Sequence, residues 1–248
     1  MVIIPDVQYP FVDRPAEHAL MDYVRRTKPD KLILIGDFID AYSLASFRKK
    51  VKPSDRLYLK REILVGRAKL QEWAACAPRA TRIYLEGNHE QRLDRYLEAN
   101  APELYDLADE ISVPGLLRAS DSGWQYVGPY GAGIWVGKRG GLWATHGQFC
   151  SLTATRRNLE LYGHSVIYGH THRLRSEARS TALGTFAAYE VGTLCNFKTT
   201  PRNVPVVNWQ LGFGDVYVSR KNKQFNVNLV SINHGRFVVG GVEYGGRG

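Results

Sequence analysis

Side chains that can bind metal ions follow short apolar runs at five places in the chain. The segments are Asp6-Val7-Gln8 after VIIP, Gly36-Asp37 after KLILI, Gly87-Asn88-His89-Glu90 after RIYLE, Thr145-His146-Gly147 after GLWA and Gly169-His170-Thr171-His172 after SVIY. Apolar runs of this length are typical of buried strands. Ligand sites in such sheets lie beyond the carboxyl ends of the strands. The pattern therefore predicts that these distant residues converge on one crevice.

The chemical types of these side chains favour particular metals and a particular reaction. Carboxylates, amide oxygens and imidazoles without thiolates suit Mn²⁺, Fe, Zn²⁺ or Ni²⁺. Two such ions, held about 3.5–4 Å apart, clamp a phosphate group and lower the pKa of a water molecule between them. A carboxylate shared by both ions is the natural bridge, and Asp37 is the best placed.

Each segment alone is weak support for a metal site. A lone Gly-Asp or Asp-x-Gln is usually a turn, and a lone histidine after a strand is more often structural. Gly-Asn-His-Glu is more specific, and Gly-His-x-His more specific again. The discriminating feature is that all of them occur together, in order, each after an apolar run.

The first half of the chain alternates strand-like and helix-like segments. Strands are predicted over 2–5, 31–35 and 81–85, and helices over 15–27, 55–76 and about 90–99. This alternation predicts an α/β fold in which helices pack on a parallel sheet.

The second half contains short apolar or alternating runs punctuated by Gly and Asn. These runs predict strands of a second, more antiparallel sheet, over 133–136, 141–144, 165–168, 184–190 and 214–218. The chain shows no repeat or long linker, so we expect one domain over residues 1–248. A Gly-rich tail from about 240 to 248 is expected to fray at its end.

The ordered set D-x-Q, GD, GNHE, TH and GHTH resembles the calcineurin-like metallophosphoesterase superfamily. The motif set of that family is D-x-H, GD, GNH(E/D), H and GHxH, and the resemblance covers residues 6–172 as spaced motifs. It implies a two-sheet sandwich flanked by helices, with mixed sheets in an α/β/β/α arrangement.

The resemblance also implies a role for each matching residue. The first metal would be held by Asp6, Gln8, Asp37 and His172. The second would be held by Asp37, Asn88, His146 and His170. His89 would stabilise the transition state or protonate the leaving oxygen, and a hydroxide bridging the two metals would attack the phosphorus. Catalysis would thus involve His89, Asp37 and Asn88.

The departure from the family pattern is Gln8, where most members have histidine. A neutral amide oxygen is a harder and usually weaker donor than imidazole. We therefore expect looser binding at the first site and a preference for Mn²⁺ over Zn²⁺. The alternative is a degraded first site, with only one ion bound in the crevice. Asp6, Asp37 and His172 argue against it, because all three remain and three protein ligands can suffice for a catalytic metal.

Several other residues have both a functional and a structural interpretation. Asp40 is expected either to support the site or to start a helix. We favour a helix start for Glu90, a solvent-facing position for Arg92, and a core or hairpin position for Trp209 and Phe213. The remaining structural expectations are packing for Tyr9, a loop for His164, a solvated helix face for Arg156 and Arg157, and small core positions for Cys76, Cys150 and Cys195.

Composition limits the class of protein. The formal net charge of +9 favours anionic partners such as phosphorylated molecules. The dense interleaving of basic and aromatic residues that marks a dedicated single-strand binder is absent. The sequence has no apolar run of about 18 residues and no signal-peptide pattern, so we expect no membrane association. Widely spaced free cysteines favour a reducing cytoplasm, in keeping with a bacterial or phage-encoded protein.

These observations predict a metal-dependent phosphoesterase, with a phosphodiesterase acting on nucleotide or nucleic-acid-type substrates as the first choice. The alternatives are a phosphomonoesterase or protein phosphatase of the same fold, and a non-catalytic scaffold. A scaffold should have lost several ligands. Here seven of the eight ligand positions match the family motif and His89 is present, which favours an enzyme.

Overall fold

Two β-sheets form the centre of the protein in the computed structural model, which describes residues 1–45, 59–200 and 206–246. The strands are β1 (Val2–Ile4), β2 (Lys31–Leu34), β3 (Thr81–Leu85), β4 (Trp124–Val127), β5 (Gly133–Val136), β6 (Leu142–Thr145), β7 (Ser165–Tyr168), β8 (Leu174–Thr181), β9 (Gly184–Val191), β10 (Gly212–Val218), β11 (Phe225–Ser231), β12 (Arg236–Val239) and β13 (Val242–Gly245). The helices are α1 (Arg14–Thr27), α2 (Leu59–Cys76), α3 (Gln91–Asn100), α4 (Ala108–Ile111), α5 (Val113–Leu117) and α6 (Ala154–Tyr162).

The first sheet has the strand order β11-β10-β1-β2-β3-β4. Strands β1 to β4 are parallel to one another, whereas β10 and β11 run antiparallel. Because side chains alternate between the faces of a strand, Leu32 and Leu34 face the helices α1 and α2, and Ile33 faces the second sheet. Both faces of the central strands are therefore buried.

The second sheet has the order β5-β6-β7-β9-β8, with β6, β7 and β9 parallel and the edge strands antiparallel. Ile167 on β7 and Ala144 on β6 pack against Ile33 between the two sheets. On the other face, Val166 packs with Leu159 of α6. The layers thus run helix, sheet, sheet, helix, and the predicted α/β class with mixed sheets is confirmed.

Helix α1 shows why the predicted helices form. Asp13 caps it by accepting a hydrogen bond from the Ala16 N–H at 3.1 Å, and Lys28 ends it in the left-handed conformation. Leu20 and Val24 lie on its buried face. Strands β1 to β3 match their predicted ranges within one residue at the ends. The predicted helix over 55–76 is observed from residue 59 onward, and residues 55–58 lie outside the described ranges.

The predicted strand 214–218 is observed in a different sheet from the one expected. It is part of β10, which pairs antiparallel with β1 in the first sheet, with Val2 opposite Asp215. This strand buries Phe213 on the helix side and Val216 between the sheets. An apolar pattern shows that both faces are buried, but it does not show which open sheet edge the strand covers.

The C-terminal segment contains more regular structure than a fraying tail. Strands β12 and β13 form an antiparallel hairpin, with Phe237 opposite Tyr244. Tyr244 and Phe237 pack on Tyr23 of α1 with ring centroids 4.9 and 5.7 Å away. Residues 247–248 lie outside the described ranges. None of the helices in those ranges combines the length and apolar character that a bilayer crossing requires.

Candidate metal centre

The predicted ligands converge at one edge of the two sheets. Strands β1, β2 and β3 of the first sheet, and β6 and β7 of the second, all end there. The potential metal-binding atoms form two overlapping groups, Asp6-Asp37-His172 and Asp37-His146-His170, and within each group all of them lie within 4.8 Å of one another. Asp37 belongs to both groups, as the shared carboxylate of a two-metal site would.

The two amide side chains divide between these groups. Asn88 Oδ1 lies 3.0 Å from His146 Nε2, beside the Asp37-His146-His170 group. Gln8 Nε2 lies 3.3 Å from His172 Nε2, beside the other group. All seven residues predicted as ligands therefore lie in the crevice, in two groups that share Asp37.

Four of these seven residues have a left-handed backbone. The φ angles are 51° at Gln8, 49° at Asp37, 64° at His170 and 56° at His172. This conformation is uncommon for residues with a Cβ atom and costs about 1–3 kcal/mol each. It is held by contacts such as the hydrogen bond from Gln8 N to Asp37 O, at 2.9 Å. Residues with a strained backbone cluster at active sites and ligand-binding sites.

Two glycines allow the ligands to approach the backbone closely. A Cβ atom on Gly169 would overlap Oδ2 of Asp6, and one on Gly87 would overlap Oδ1 of Asp37. The hydrogen bond from His170 N to Asp6 Oδ1, at 3.0 Å, depends on this approach. Glycine is therefore required at both positions for the crevice to close around its carboxylates.

Glu90 holds the loop that carries Asp37. Its buried carboxylate accepts hydrogen bonds from the backbone N–H groups of Asp37 at 2.9 Å and Phe38 at 2.7 Å, and from Gly87 N–H at 2.9 Å. The Tyr84 hydroxyl donates to it at 2.7 Å. Glu90 stands at the start of α3 but makes no capping bond there. Glu90 thus lies at the helix start as expected, but its main contacts are elsewhere: its carboxylate orders the loop after β2.

His89 lies beside the shared carboxylate, with Nε2 3.6 Å from Asp37 Oδ2. Its Nδ1 is 3.4 Å from Asp40 Oδ2, and Arg92 Nη2 is 2.9 Å from Nε2. Arg92 also donates to the Asp40 carbonyl oxygen at 2.6 Å. The prediction of a solvent-facing Arg92 is therefore wrong. Asp40 supports the site and does not start a helix.

The charges around Asp37 are tightly coupled. Burial alone would raise the pKa of the Asp37 carboxyl, but the neighbouring histidines, His146 first, hold it well below its usual range. Burial likewise opposes a charge on His146, yet Asp37 raises the pKa of that imidazole to about 9. Burial and the His146 charge lower the pKa of His170 to about 3. At neutral pH the metal-free crevice thus holds an ion pair beside a neutral imidazole.

His172 has contacts that the sequence pattern did not indicate. Cys195 Sγ is 3.7 Å from its Nδ1, and the Trp209 ring lies 4.4 Å from its ring. Burial would lower the pKa of His172, but Cys195 and Asp6 raise it well above its usual value. Trp209 is half-buried against this site, whereas Phe213 is a core residue as predicted.

On the opposite side Tyr130 forms a wall of the crevice. Its hydroxyl donates to the Gly147 carbonyl at 2.9 Å, and its ring lies 5.9 Å from that of His146. No motif or periodicity marks Tyr130 or Cys195, because both reach the site through the turns between strands. Tyr9, Cys76 and Cys195 are buried as predicted, but Cys150 is exposed.

Comparison with known proteins gives relatives from two mycobacteriophages. No family model matches the chain. The chain is 30% identical to the Gene 54 protein of Mycobacterium phage D29 over an alignment of 259 positions, which covers 97% of this chain and 96% of the relative. The Gene 54 protein of Mycobacterium phage L5 matches with the same identity and coverage. These relatives are phage proteins, in keeping with the predicted bacterial or phage origin.

Proposed function

We propose that this chain, which belongs to the family of the mycobacteriophage Gene 54 proteins, is a metal-dependent phosphodiesterase of the calcineurin-like type. The proposal rests on the geometry of the crevice. The observation that carries the proposal is the shared Asp37, which belongs to both ligand groups while His89 stands 3.6 Å from its carboxylate. An acid beside a carboxylate that can join two ions is the arrangement that phosphoester hydrolysis needs.

The residues present fit two divalent cations. Gln8 Oε1 is buried without a hydrogen-bond partner in the described part of the chain, and an unsatisfied buried acceptor costs about 1–3 kcal/mol. In the structure Gln8 Nε2 faces His172, and a rotation about the terminal torsion of Gln8 would bring Oε1 to that position. His170, neutral because its pKa is about 3, offers a free ring nitrogen. A hard cation would satisfy both groups.

The two ligand groups assign the sites. Asp6, Gln8, Asp37 and His172 would hold the first ion, and Asp37, Asn88, His146 and His170 the second. Oxygen donors predominate at the first site, which favours Mn²⁺, with Fe, Zn²⁺ and Ni²⁺ as alternatives. When bound, the two ions supply a water of lowered pKa and neutralise charge on the phosphate.

The chain's own residues complete the chemistry. His89 faces the shared carboxylate and donates a proton or a hydrogen bond to the departing oxygen. Arg92 Nη2 lies 2.9 Å from its Nε2 and Asp40 Oδ2 lies 3.4 Å from its Nδ1, so Nε2 accepts a hydrogen bond from Arg92 in this structure and donates only after that contact opens. Tyr130 and Trp209 line the two sides of the crevice. The net charge of +9 favours polyanionic substrates, which supports a diesterase over a monoesterase.

Hydrolysis by metal-stripped protein tests the proposal. Protein treated with a chelator should be inactive toward bis-p-nitrophenyl phosphate, and Mn²⁺ should restore activity more effectively than Zn²⁺ or Mg²⁺. A higher turnover of this diester than of p-nitrophenyl phosphate supports the diesterase, and the reverse ratio favours the phosphomonoesterase. Folded protein that binds no metal and hydrolyses neither substrate would contradict the proposal and support the scaffold alternative.

Gln8→His should tighten the first site. Imidazole is a stronger donor than an amide oxygen for Zn²⁺, and histidine is among the residues that tolerate the left-handed backbone of position 8. We expect the affinity for Zn²⁺ to rise by about tenfold or more and that for Mn²⁺ to rise less, as measured by competition with a chelating dye. Gln125→His, on an exposed position of β4, is the matched control. Unchanged affinity in Gln8→His would mean that residue 8 does not coordinate.

Metal binding should release protons. In the metal-free protein the pKa of His146 is raised to about 9 and that of His172 also lies well above its usual value. The His146 imidazole is thus protonated at neutral pH and must lose its proton to coordinate, so affinity for the second ion should rise about tenfold per pH unit up to a pH of about 9. Calorimetry in buffers of different ionisation enthalpy should show at least one proton released when both sites fill. Affinity that does not change with pH would contradict the assignment.

A further inference from the structure

A basic cleft lies between the exposed face of α1 and the C-terminal hairpin. Arg14, His18, Arg25 and Arg26 contribute to it from α1, and Arg236 contributes from β12; the cleft volume is about 840 Å³. The helix residues recur at helical spacing and are exposed. Because α1 rises 1.5 Å per residue, Arg14 and Arg25 stand about 16 Å apart along its axis. We name this feature the helix cleft.

The helix cleft carries positive charge that the protein does not neutralise. Its lining includes four arginines and two carboxylates. Each carboxylate already has an arginine partner, Asp22 with Arg26 at 3.2 Å and Glu243 with Arg236 at 3.5 Å. Arg14 and Arg25 form no ion pair with any residue in the described ranges. An anion bound here would therefore meet two guanidinium groups that have no competing acidic partner.

A second cleft, of about 520 Å³, continues the first toward the metal centre. Pro15, His234 and Gly235 line both clefts. The second is lined further by Phe197 and Trp209, whose rings lie 6.0 Å apart, and we name it the aromatic cleft. Trp209 in turn packs on His172, with the ring centroids 4.4 Å apart. The two clefts are thus adjacent, and Trp209, which lines the second cleft, separates it from His172 of the proposed metal site by one ring contact.

We propose that these two clefts form a binding groove for single-stranded nucleic acid, which leads one strand toward the metal centre; the inference rests on the proposed phosphodiesterase. Arginines that track phosphates, followed by aromatic rings on which bases stack, are the two elements of single-strand binding. Stacking on rings in a cleft requires unpaired bases, which excludes a duplex. The roughly 16 Å between Arg14 and Arg25 spans at most about five phosphates, because 3.4 Å per nucleotide is the spacing along a fully stacked strand. The sequence does not show this groove, since its residues come from three distant segments.

The groove is tested by binding of a short fluorescein-labelled oligothymidylate to the whole protein. Binding is measured by fluorescence anisotropy in the presence of a chelator, so that no cleavage occurs. The double variant Arg14→Glu/Arg25→Glu should lose affinity by about tenfold or more. The slope of log affinity against log salt should fall in magnitude by about 1.4, because each lost phosphate contact contributes about 0.7. Arg139→Glu/Lys223→Glu makes the same charge change at exposed positions at the other end of the sheets and should bind nearly as the unchanged protein does.

The outcomes separate the groove from the proposed function. Equal affinity of the two double variants, or no binding by unchanged protein, would overturn the groove even where bis-p-nitrophenyl phosphate is hydrolysed. An unlabelled duplex that competes as well as the single strand would overturn the stacking component. Binding of oligothymidylate by a protein that hydrolyses neither small ester would retain the groove and contradict the phosphodiesterase. Circular dichroism of each variant verifies that it is folded.

Discussion

Asp37→Asn is expected to lose both metal ions and to reduce hydrolysis of bis-p-nitrophenyl phosphate by about 10³-fold or more, which corresponds to about 4 kcal/mol of transition-state stabilisation. The reason is that Asp37 belongs to both ligand groups. Asparagine retains one oxygen, but it replaces Oδ2 or Oδ1 by an NH₂ group that cannot bind a cation. One residue thereby disables two sites.

The fold of this variant should persist. The hydrogen bond from the backbone N–H of Asp37 to Glu90, 2.9 Å long, does not use the side chain, so the substitution should leave it in place. The backbone N–H of His89 donates a hydrogen bond to Asp37 Oδ1 at 2.9 Å, and the side-chain oxygen of asparagine can still accept it. His146 loses its nearest anionic partner, and its pKa is expected to fall, since Asp37 contributes most to raising it. The loss of activity would therefore not come from unfolding.

Asp215→Asn is the matched control. Asp215 is also a buried aspartate of the first sheet, but it pairs with Val2 at the start of β1, at the opposite end from the metal centre. The Asp215→Asn variant should therefore bind both ions and hydrolyse bis-p-nitrophenyl phosphate at the full rate. Metal content is measured by mass spectrometry after gel filtration. Two ions per chain in Asp37→Asn would mean that this carboxylate is not the bridge.

The convergence of the ligands was predictable because it depends on local signals. Apolar runs such as KLILI and SVIY identify parallel strands, and polar residues directly after them must lie at one sheet edge. Asp37 and His170 are 133 positions apart in the numbering, yet both follow strands that end at this edge. The sequence therefore indicates which residues meet, without any information on how the sheets pack.

The support of the ligands was not predictable, because it depends on tertiary contacts. Nothing near Glu90 indicates that its carboxylate reaches back to the N–H groups of Asp37 and Phe38. Trp209 has the ordinary features of a hairpin aromatic, and its contact with His172 arises only when β10 joins the first sheet. The left-handed backbone at Gln8 is likewise invisible in the residue type.

His89→Ala is expected to lower kcat by about 10²- to 10⁴-fold, the usual contribution of a positioned acid or base, while both ions stay bound. His89 lies 3.6 Å from Asp37 Oδ2 but belongs to neither ligand group. Removal of its imidazole therefore leaves every predicted metal ligand in place. Unreduced turnover with full metal content would exclude His89 from the mechanism.

A comparison of leaving groups then separates the two roles considered for His89. p-Nitrophenolate is a weak base and departs without a proton, whereas the sugar alkoxide of a dithymidylate must be protonated. A proton donor at position 89 predicts a much larger loss for dithymidylate than for bis-p-nitrophenyl phosphate. Equal losses would instead assign His89 to stabilising charge on the phosphate. His164→Ala is the control, because the His164 ring packs at a tilt against Trp135, with centroids 4.6 Å apart, and belongs to neither ligand group, so its loss should leave both rates unchanged.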